Sequence, residues 1–296
     1  MGERLPASQG QRASAKYLGL NKLMLIALAT KHEKEKIFEP ILSSLGWELK
    51  LANIDTDQFG TFSGEIEREL SPSETAIAKA KAAALDAGVS MGVASEGAVA
   101  PHPQIPFLNA DFEWVAYVDL ESGLELVESV VSTEIVAFRV EYQQGMDLAE
   151  IFRGADLPSH ALIAKAQTSS GVWAIKGLRS IEDISNAVSQ AAELGLLQTL
   201  VFESDFRAMC SPSRQQNIRV CIEKLVHRLE NRCPSCQGRG FGLVDVERGV
   251  ACSDCGEISL TAVRAEIHGC LLCSNREVRE NEVTTITPDR CLVCNP

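Results

Sequence analysis

Eight of the ten cysteines in this chain form four Cys-x-x-Cys pairs: Cys233/Cys236, Cys252/Cys255, Cys270/Cys273 and Cys291/Cys294. The intervening gaps are 15, 14 and 17 residues. A Cys-x-x-Cys turn presents two thiolates to one metal, and a second pair about 15–20 residues on completes a tetrahedral four-sulfur site. Eight thiolates make two such sites, so two zinc ions are expected. Spacing leaves open which pairs share an ion: sequential pairing gives two zinc ribbons, and a cross-brace uses the same ligands. With four thiolates per metal no coordination position stays open, so the sites read as structural. They replace a hydrophobic core that a tail of about 65 residues can hardly build. Recognition of nucleic acid or protein is the other role for such a tail, although Phe241 is its only aromatic residue for base stacking.

A second group of residues recurs at the ends of apolar segments. Thr30, Lys31, His32 and Lys34 lie between a first apolar run and a helix, where backbone N–H groups favour an anion. Asp55 and Asp57, with Thr61 and Glu65, follow a second run and offer the hard oxygen ligands that magnesium uses. Glu96 follows a third, as metal ligand or general base, with Pro101-His102-Pro103 just beyond. Arg207 and Arg214 are available for phosphate, with an ion pair to Asp205 as the alternative. Taken singly, each has an ordinary reading as a capped helix start or a solvated loop carboxylate.

The elements that must position these groups alternate. Leu23–Ala29 reads as a buried strand, although Ala27-Leu28-Ala29 after Arg4, Arg12, Lys16 and Lys22 imitates a signal-peptide cleavage site. A helix follows from Glu33 to about Leu45, then a strand Trp47–Ile54 and a loop 55–68. Ser71-Pro72-Ser73-Glu74 is a capping box opening a helix that Gly88 stops. Val89–Ala94 reads as a strand and Ser95–Asp111 as a Gly/Pro-rich loop. Glu113–Leu120 and Leu124–Tyr142 read as strands around a turn at Glu121-Ser122-Gly123. A short helix Met146–Arg153, strands at 161–166 and 172–175, a helix capped by Ser180, and a strand Leu197–Phe202 precede an amphipathic helix over Pro212–Asn231. Cys210 and Cys221 read as core residues. The expected organisation is a polar leader at 1–20, an α/β domain at 21–231 with a mixed sheet flanked by helices, and a zinc-binding tail at 232–296 forming a small double zinc-ribbon domain.

Composition supports this frame. The 296 residues are 45% hydrophobic and 23% charged, the profile of a globular chain and not of a disordered or fibrous one. No apolar run is long enough to span a bilayer, so no membrane partner is expected. The net charge of −12 is uneven: residues 1–206 hold 16 Lys and Arg against 29 Asp and Glu, and residues 207–296 hold 12 against 11. An acidic front repels a phosphate backbone, which argues against non-specific nucleic-acid binding there. Thiols clustered for metal fit a reducing, cytoplasmic setting.

The run Ala29-Thr30-Lys31-His32, the loop Asp55 to Phe62, Glu74-Thr75-Ala76 with Lys79-Ala80, and Ala94-Ser95-Glu96-Gly97 with Pro101-His102-Pro103 resemble a bacterial domain-of-unknown-function family, number 6671. The tail ending in Cys291-Leu292-Val293-Cys294-Asn295-Pro296 is similar to tails that its members carry. This resemblance covers about residues 23–296 and implies no activity. More distantly, the order of strand, Thr-and-Lys turn, helix, a second helix opening with Glu-Thr, and an apolar strand ending in an acid is similar to the inosine-triphosphate pyrophosphatase superfamily. That likeness implies magnesium-dependent hydrolysis of non-standard nucleoside triphosphates. Thr30 and the nearby lysines match its phosphate-binding turn, and Glu96 its metal-binding acid. The sequence departs from it at His32, where the superfamily has Asn, and at Ser95-Glu96-Gly97, where it has Asp-Ser-Gly.

The leading expectation is a magnesium-dependent hydrolase of a small nucleotide-like phosphate compound. Glu96, Asp57 and His32 would be catalytic, Asp55, Asp57 and Glu96 would face magnesium, and Thr30, Lys31, Lys34 and Arg207 would hold phosphate. The alternative is a non-catalytic binding module whose zinc ribbons dock a protein or nucleic acid.

Overall fold

Alternation along the first strand sorts its side chains onto two unlike faces, and the first sheet is built on that difference. The computed structural model describes residues 24–60, 69–169 and 171–296. The polar leader 1–20, Lys22 and Leu23, and the oxygen donors Thr61 and Glu65 lie outside the described residues. Strands β1 (Met24–Leu28), β2 (Trp47–Leu51), β3 (Met91–His102), β4 (Ile105–Asp119) and β5 (Leu124–Ser132) form a mixed sheet in the order β2-β1-β3-β4-β5. β1 runs parallel to both β2 and β3, and β3, β4 and β5 are antiparallel.

One face carries Ile26, Leu28, Val93, Val115 and Tyr117 and packs on helices α1 (Glu35–Leu42) and α5 (Pro212–Glu230). The other carries Ala27, Ala29, Ala94 and Ala116 and packs on the alanine stripe Ala76, Ala80, Ala83 and Ala87 of helix α2 (Pro72–Ala87). Small side chains on both partners bring α2 close. A Cβ on Gly92 would stand 2.1 Å from the Ala80 carbonyl oxygen, so only glycine fits there. Helix α2 has the expected start and stop: Ser71 and Glu74 form a reciprocal capping box, and Gly88 ends it in the left-handed conformation.

The segment after Ala94 departs from expectation. Ser95–Asp111 is not a loop. β3 continues to His102 and β4 begins at Ile105, with Glu96 opposite Trp114, Gly97 opposite Glu113 and Val99 opposite Asp111. Glycine, proline and charge mark loops when nothing satisfies them, but here the acids turn inward to partners on the flanking helices, Glu96 to Lys79 and Asp111 to Asn217.

A second, antiparallel sheet follows in the order β6-β9-β7-β8, from β6 (Arg139–Glu141), β7 (Leu162–Thr168), β8 (Gly171–Leu178) and β9 (Val201–Ser204). Helices α3 (Leu148–Gly154) and α4 (Ile181–Glu193) cover it, with its own core around Ile151, Leu162, Ile184 and Phe202. His160 ties this unit to α5: Nδ1 meets Asp156 Oδ2 at 2.9 Å and Nε2 meets Ser213 Oγ at 2.9 Å. The order Asp-His-Ser imitates a hydrolytic triad, but Ser213 Oγ also accepts the Val136 N–H at 3.2 Å, and the Ser213 N–H also points at Nε2. This is a cross-link between units.

Candidate functional site: a basic cleft and two cysteine clusters

Helices α1 and α5 lie on one face of the first sheet and α2 on the other. The chain therefore leaves β1 outward to β2 and returns past it to β3. That reversal between β1 and β3 is the topological switch point where open α/β sheets bind ligands. β1 ends at Leu28 and pairs with β3 only to Val93, so the β3 edge beyond is left open to a cleft. The loop after β1 supplies Thr30, Lys31, His32 and Lys34, and the turn after β2 supplies Thr56, Asp57 and Gly60. Lys79 comes from α2, Ser95 and Glu96 from β3, and Arg214 from α5.

Of the residues expected at a site, Thr30, Lys31, His32, Lys34, Asp57 and Glu96 line this one cleft. Asp55 stands behind it, paired with Lys31, which also reaches Asp57 at 2.8 Å. Arg207 does not line it. Its guanidinium closes on Asp205, with Nε 2.9 and 3.1 Å from the two carboxylate oxygens. Arg214 supplies the arginine instead, 2% exposed and 2.5 Å from Glu113, which is fully buried. A Cβ on Gly97 would lie 2.4 Å from the Arg214 guanidinium, so this glycine makes room for it. Glu96 is paired with Lys79 at 2.5 Å, both buried. Ser95 Oγ accepts from Lys34 Nζ at 2.9 Å.

Lys79 carries a local signal, a lysine inside the alanine stripe of α2. Asp111 and Glu113 carry none, because their partners Asn217 and Arg214 lie about a hundred residues away.

Cations dominate the wall, and burial tunes them. His32 is pulled down to about 4 by burial and by Lys34 and Arg207, so at neutral pH it is an uncharged imidazole. Lys34 is pulled from 10.5 to about 8 by burial and by Arg214. Between those values the unfolded chain binds the proton more tightly, so this group's contribution to stability rises with pH while the charge it offers an anion falls. Affinity for inorganic pyrophosphate is therefore expected to drop as pH rises through 8. A Lys34→Met variant should lose that step in a calorimetric titration, and an unchanged step would refute the assignment to Lys34.

The cleft's cavity volume is about 50 Å³, room for a phosphate-sized group, against about 300–1,000 Å³ for a whole-ligand pocket. Among the described residues no three Asp, Glu, His or Cys groups outside the tail converge within 4.8 Å. Asp57 and Glu96 are the carboxylates of the lining, and each is paired with a lysine, Lys31 and Lys79.

The cysteines do converge. Cys233, Cys236, Cys270 and Cys273 form one cluster, and Cys252, Cys255, Cys291 and Cys294 the other. The first pair therefore shares a site with the third, and the second with the fourth. The reason is the hairpin of β10 (Gly242–Cys252) and β11 (Ile258–Gly269). Eleven extended residues hold the first two pairs about 35 Å apart. Antiparallel pairing of Gly242 with Gly269 brings the first pair beside the third. β12 (Arg276–Glu280) flanks β11, and β13 (Thr285–Ile286) returns along β10 to deliver the last pair to the hairpin's far end. Sγ–Sγ contacts of 3.7 and 3.5 Å in one cluster and 3.9 and 3.7 Å in the other match the edge of about 3.8 Å of a tetrahedron with metal–sulfur bonds of about 2.3 Å. They are far from the roughly 2.05 Å of a disulfide. All four donors of each set are sulfur, which fits zinc.

The first cluster is fastened to the first sheet. Asn231 O accepts the N–H groups of Gly240 and Phe241, and the Arg239 guanidinium lies 5.5 Å from the Trp47 ring centroid.

This architecture defines an α/β protein of mixed sheets flanked by helices, ending in two zinc-ribbon-like cysteine sites. The chain belongs to the family described as Domain of unknown function (DUF6671), whose model matches residues 79–296. That match takes in Lys79, Glu96, Arg214 and all eight clustered cysteines, while the turns at Thr30 and Asp57 precede it. No curated protein and no solved structure matches the chain. Among the described residues no helix is long and apolar enough to cross a membrane.

Proposed function

We propose that the cleft binds and hydrolyses a nucleotide-like phosphate compound with magnesium, and that the metal of the tail is structural zinc. One observation carries this reading: Lys31, Lys34, Lys79 and Arg214, with the hydroxyl-bearing Thr30, Thr56 and Ser95, line one phosphate-sized cleft at the switch point of the sheet. Cations fixed in a partly buried wall stabilise phosphate charge more than they would in water. Arg214 is held by Glu113 and needs little reorganisation to meet an anion. Glu96, paired with Lys79 at 2.5 Å, would face the magnesium carried by the phosphates or take a proton from the attacking water. Magnesium supplies charge neutralisation when bound. The likeness to the inosine-triphosphate pyrophosphatases supports the same chemistry through Thr30 and Glu96.

Release of phosphate and pyrophosphate from standard and modified nucleoside triphosphates, with magnesium or manganese, tests the reading. Turnover is expected in the parent and a loss of about a hundredfold or more in Glu96→Gln. No turnover from folded, metal-loaded protein would retire it. The second reading, a binding module without catalysis, is favoured by the lysine already paired with each acid of the cleft. Saturable pyrophosphate binding without turnover of any triphosphate would select it.

A further inference from the structure

A second cleft lies where α5 meets the tail, with a cavity volume of about 470 Å³, within the range of about 300–1,000 Å³ typical of ligand sites. One wall is the face of α5 that carries Lys224, His227 and Arg228, at helical spacing, with Asn231 just past its end. The other is the tail sheet, which presents His268 on β11 and Arg279 on β12. Arg232 stands at the junction, and Phe241 and Gly242 form the floor. Glu128 is the acidic residue of the lining, and it holds Arg228 at 2.8 Å and Lys224 at 3.6 Å. The lining holds four Lys and Arg against one Glu, on a chain of net charge −12, although beside it Glu277 lies 3.4 Å from Arg279 and Glu266 2.9 Å from His268. A positive, concave surface on an acidic protein focuses potential where an anion would sit.

The cleft is also built to stay in shape. Arg228 donates from Nε to the Gly240 carbonyl, and a Cβ on Gly242 would press on that guanidinium at 3.2 Å. Arg232 donates to the Gln237 carbonyl at 2.9 Å. Both arginines are thus aimed by backbone carbonyls just after the Cys233/Cys236 turn. Phe241 is 7% exposed and offers no ring for base stacking. Recognition here must rest on phosphate charge and not on base identity.

We infer that this junction cleft binds the phosphate groups of nucleotide units, without base specificity, as a site separate from the cleft at Glu96. A single-stranded nucleic acid and a free nucleotide present the same chemistry. The test is anisotropy of a labelled oligouridylate with the full zinc-loaded chain at about 50 mM salt, with ATP as competitor and as direct ligand. Lys224→Glu with Arg279→Glu, both exposed residues, is expected to weaken binding about tenfold or more and to flatten its salt dependence. Arg248→Glu with Arg290→Glu, exposed tail residues outside the cleft, makes the same charge change and should leave affinity within about twofold. Oligouridylate binding that follows this pattern assigns a polynucleotide, and ATP binding alone that follows it assigns a free nucleotide. No binding of either, or equal loss in both double variants, overturns the proposal. Glu96→Gln should bind as the parent does, which separates this result from that of the hydrolase assay.

Discussion

Cys233→Ser is expected to release the whole tail from the body of the protein, whereas Cys291→Ser should loosen only its far end. Structural zinc contributes about 10–16 kcal/mol of binding free energy in small domains, and the tail's own apolar clusters are small. The apolar cluster around the first site is Cys233, Phe241, Cys270 and Cys273, and that around the second is Val250, Cys252, Ile286 and Cys291 with Ala262. The two sites differ in what they hold. The first bears on the front sheet, because a Cβ on Gly240 would stand 3.3 Å from Leu126 and Arg239 lies over Trp47. Losing it uncovers Leu124, Leu126 and Trp47, which belong to the main core. In Cys291→Ser the first site keeps its metal, so one zinc per chain and an unchanged melting transition of the body are expected. In Cys233→Ser limited proteolysis should cut just after α5, and the body should melt at lower temperature. Equal effects of the two variants on the body would contradict the anchoring role of the first site.

Glu113→Ala should be the most damaging single change in the front sheet. Glu113 and Arg214 are both fully or nearly fully buried, and removing one partner strands a guanidinium in the interior at a cost of about 3–5 kcal/mol. The pair has a further neighbour. Asp111, two residues along β4 on the same face, accepts from Asn217 at 2.9 Å, and Asp111 Oδ1 and Glu113 Oε2 are buried without a hydrogen-bond partner among the described residues. Two buried carboxyl groups beside one arginine retain a proton, and Glu113 is pushed from 4.5 to about 7, first by burial and next against the pull of Arg214. Between those values the folded state binds more protons than the unfolded one, so this group's contribution to stability is present at low pH and lost as pH rises through about 7. Urea unfolding at a series of pH values should show that slope in the parent and lose it in Glu113→Gln, which keeps the volume. A Glu113→Ala variant as stable as the parent, or a slope that survives in Glu113→Gln, would refute this account.

Particular elements show how far the sequence reached. Helix α2 was legible from end to end, because a capping box, a proline at its first position and a terminal glycine act within a few residues of the groups they satisfy. The pattern of β1 was legible because a strand buried on both faces reads as one apolar run. Ser95–Asp111 was misread as a loop, since the partners that let its acids turn inward come from α2 and α5. Sequence alone puts Arg207 at the phosphate, yet Arg214 lines the cleft; what separates them is Asp205, which engages Arg207, and Gly97, which admits Arg214 beside Glu113.

By itself, then, the sequence determined that eight cysteines would make up two four-sulfur sets able to hold metal, that the chain would alternate strands and helices, and that polar groups would gather at strand ends. Each of these depends on spacing along the chain, and a turn or a helix face enforces spacing locally. Only the tertiary structure decided that the cysteine pairs interleave, that six of the expected site residues share a cleft with Lys79 and Arg214, and that a basic groove opens beside α5. Those depend on which strand pairs with which. An eleven-residue strand carries two neighbouring knuckles far apart, and an antiparallel partner brings distant ones together.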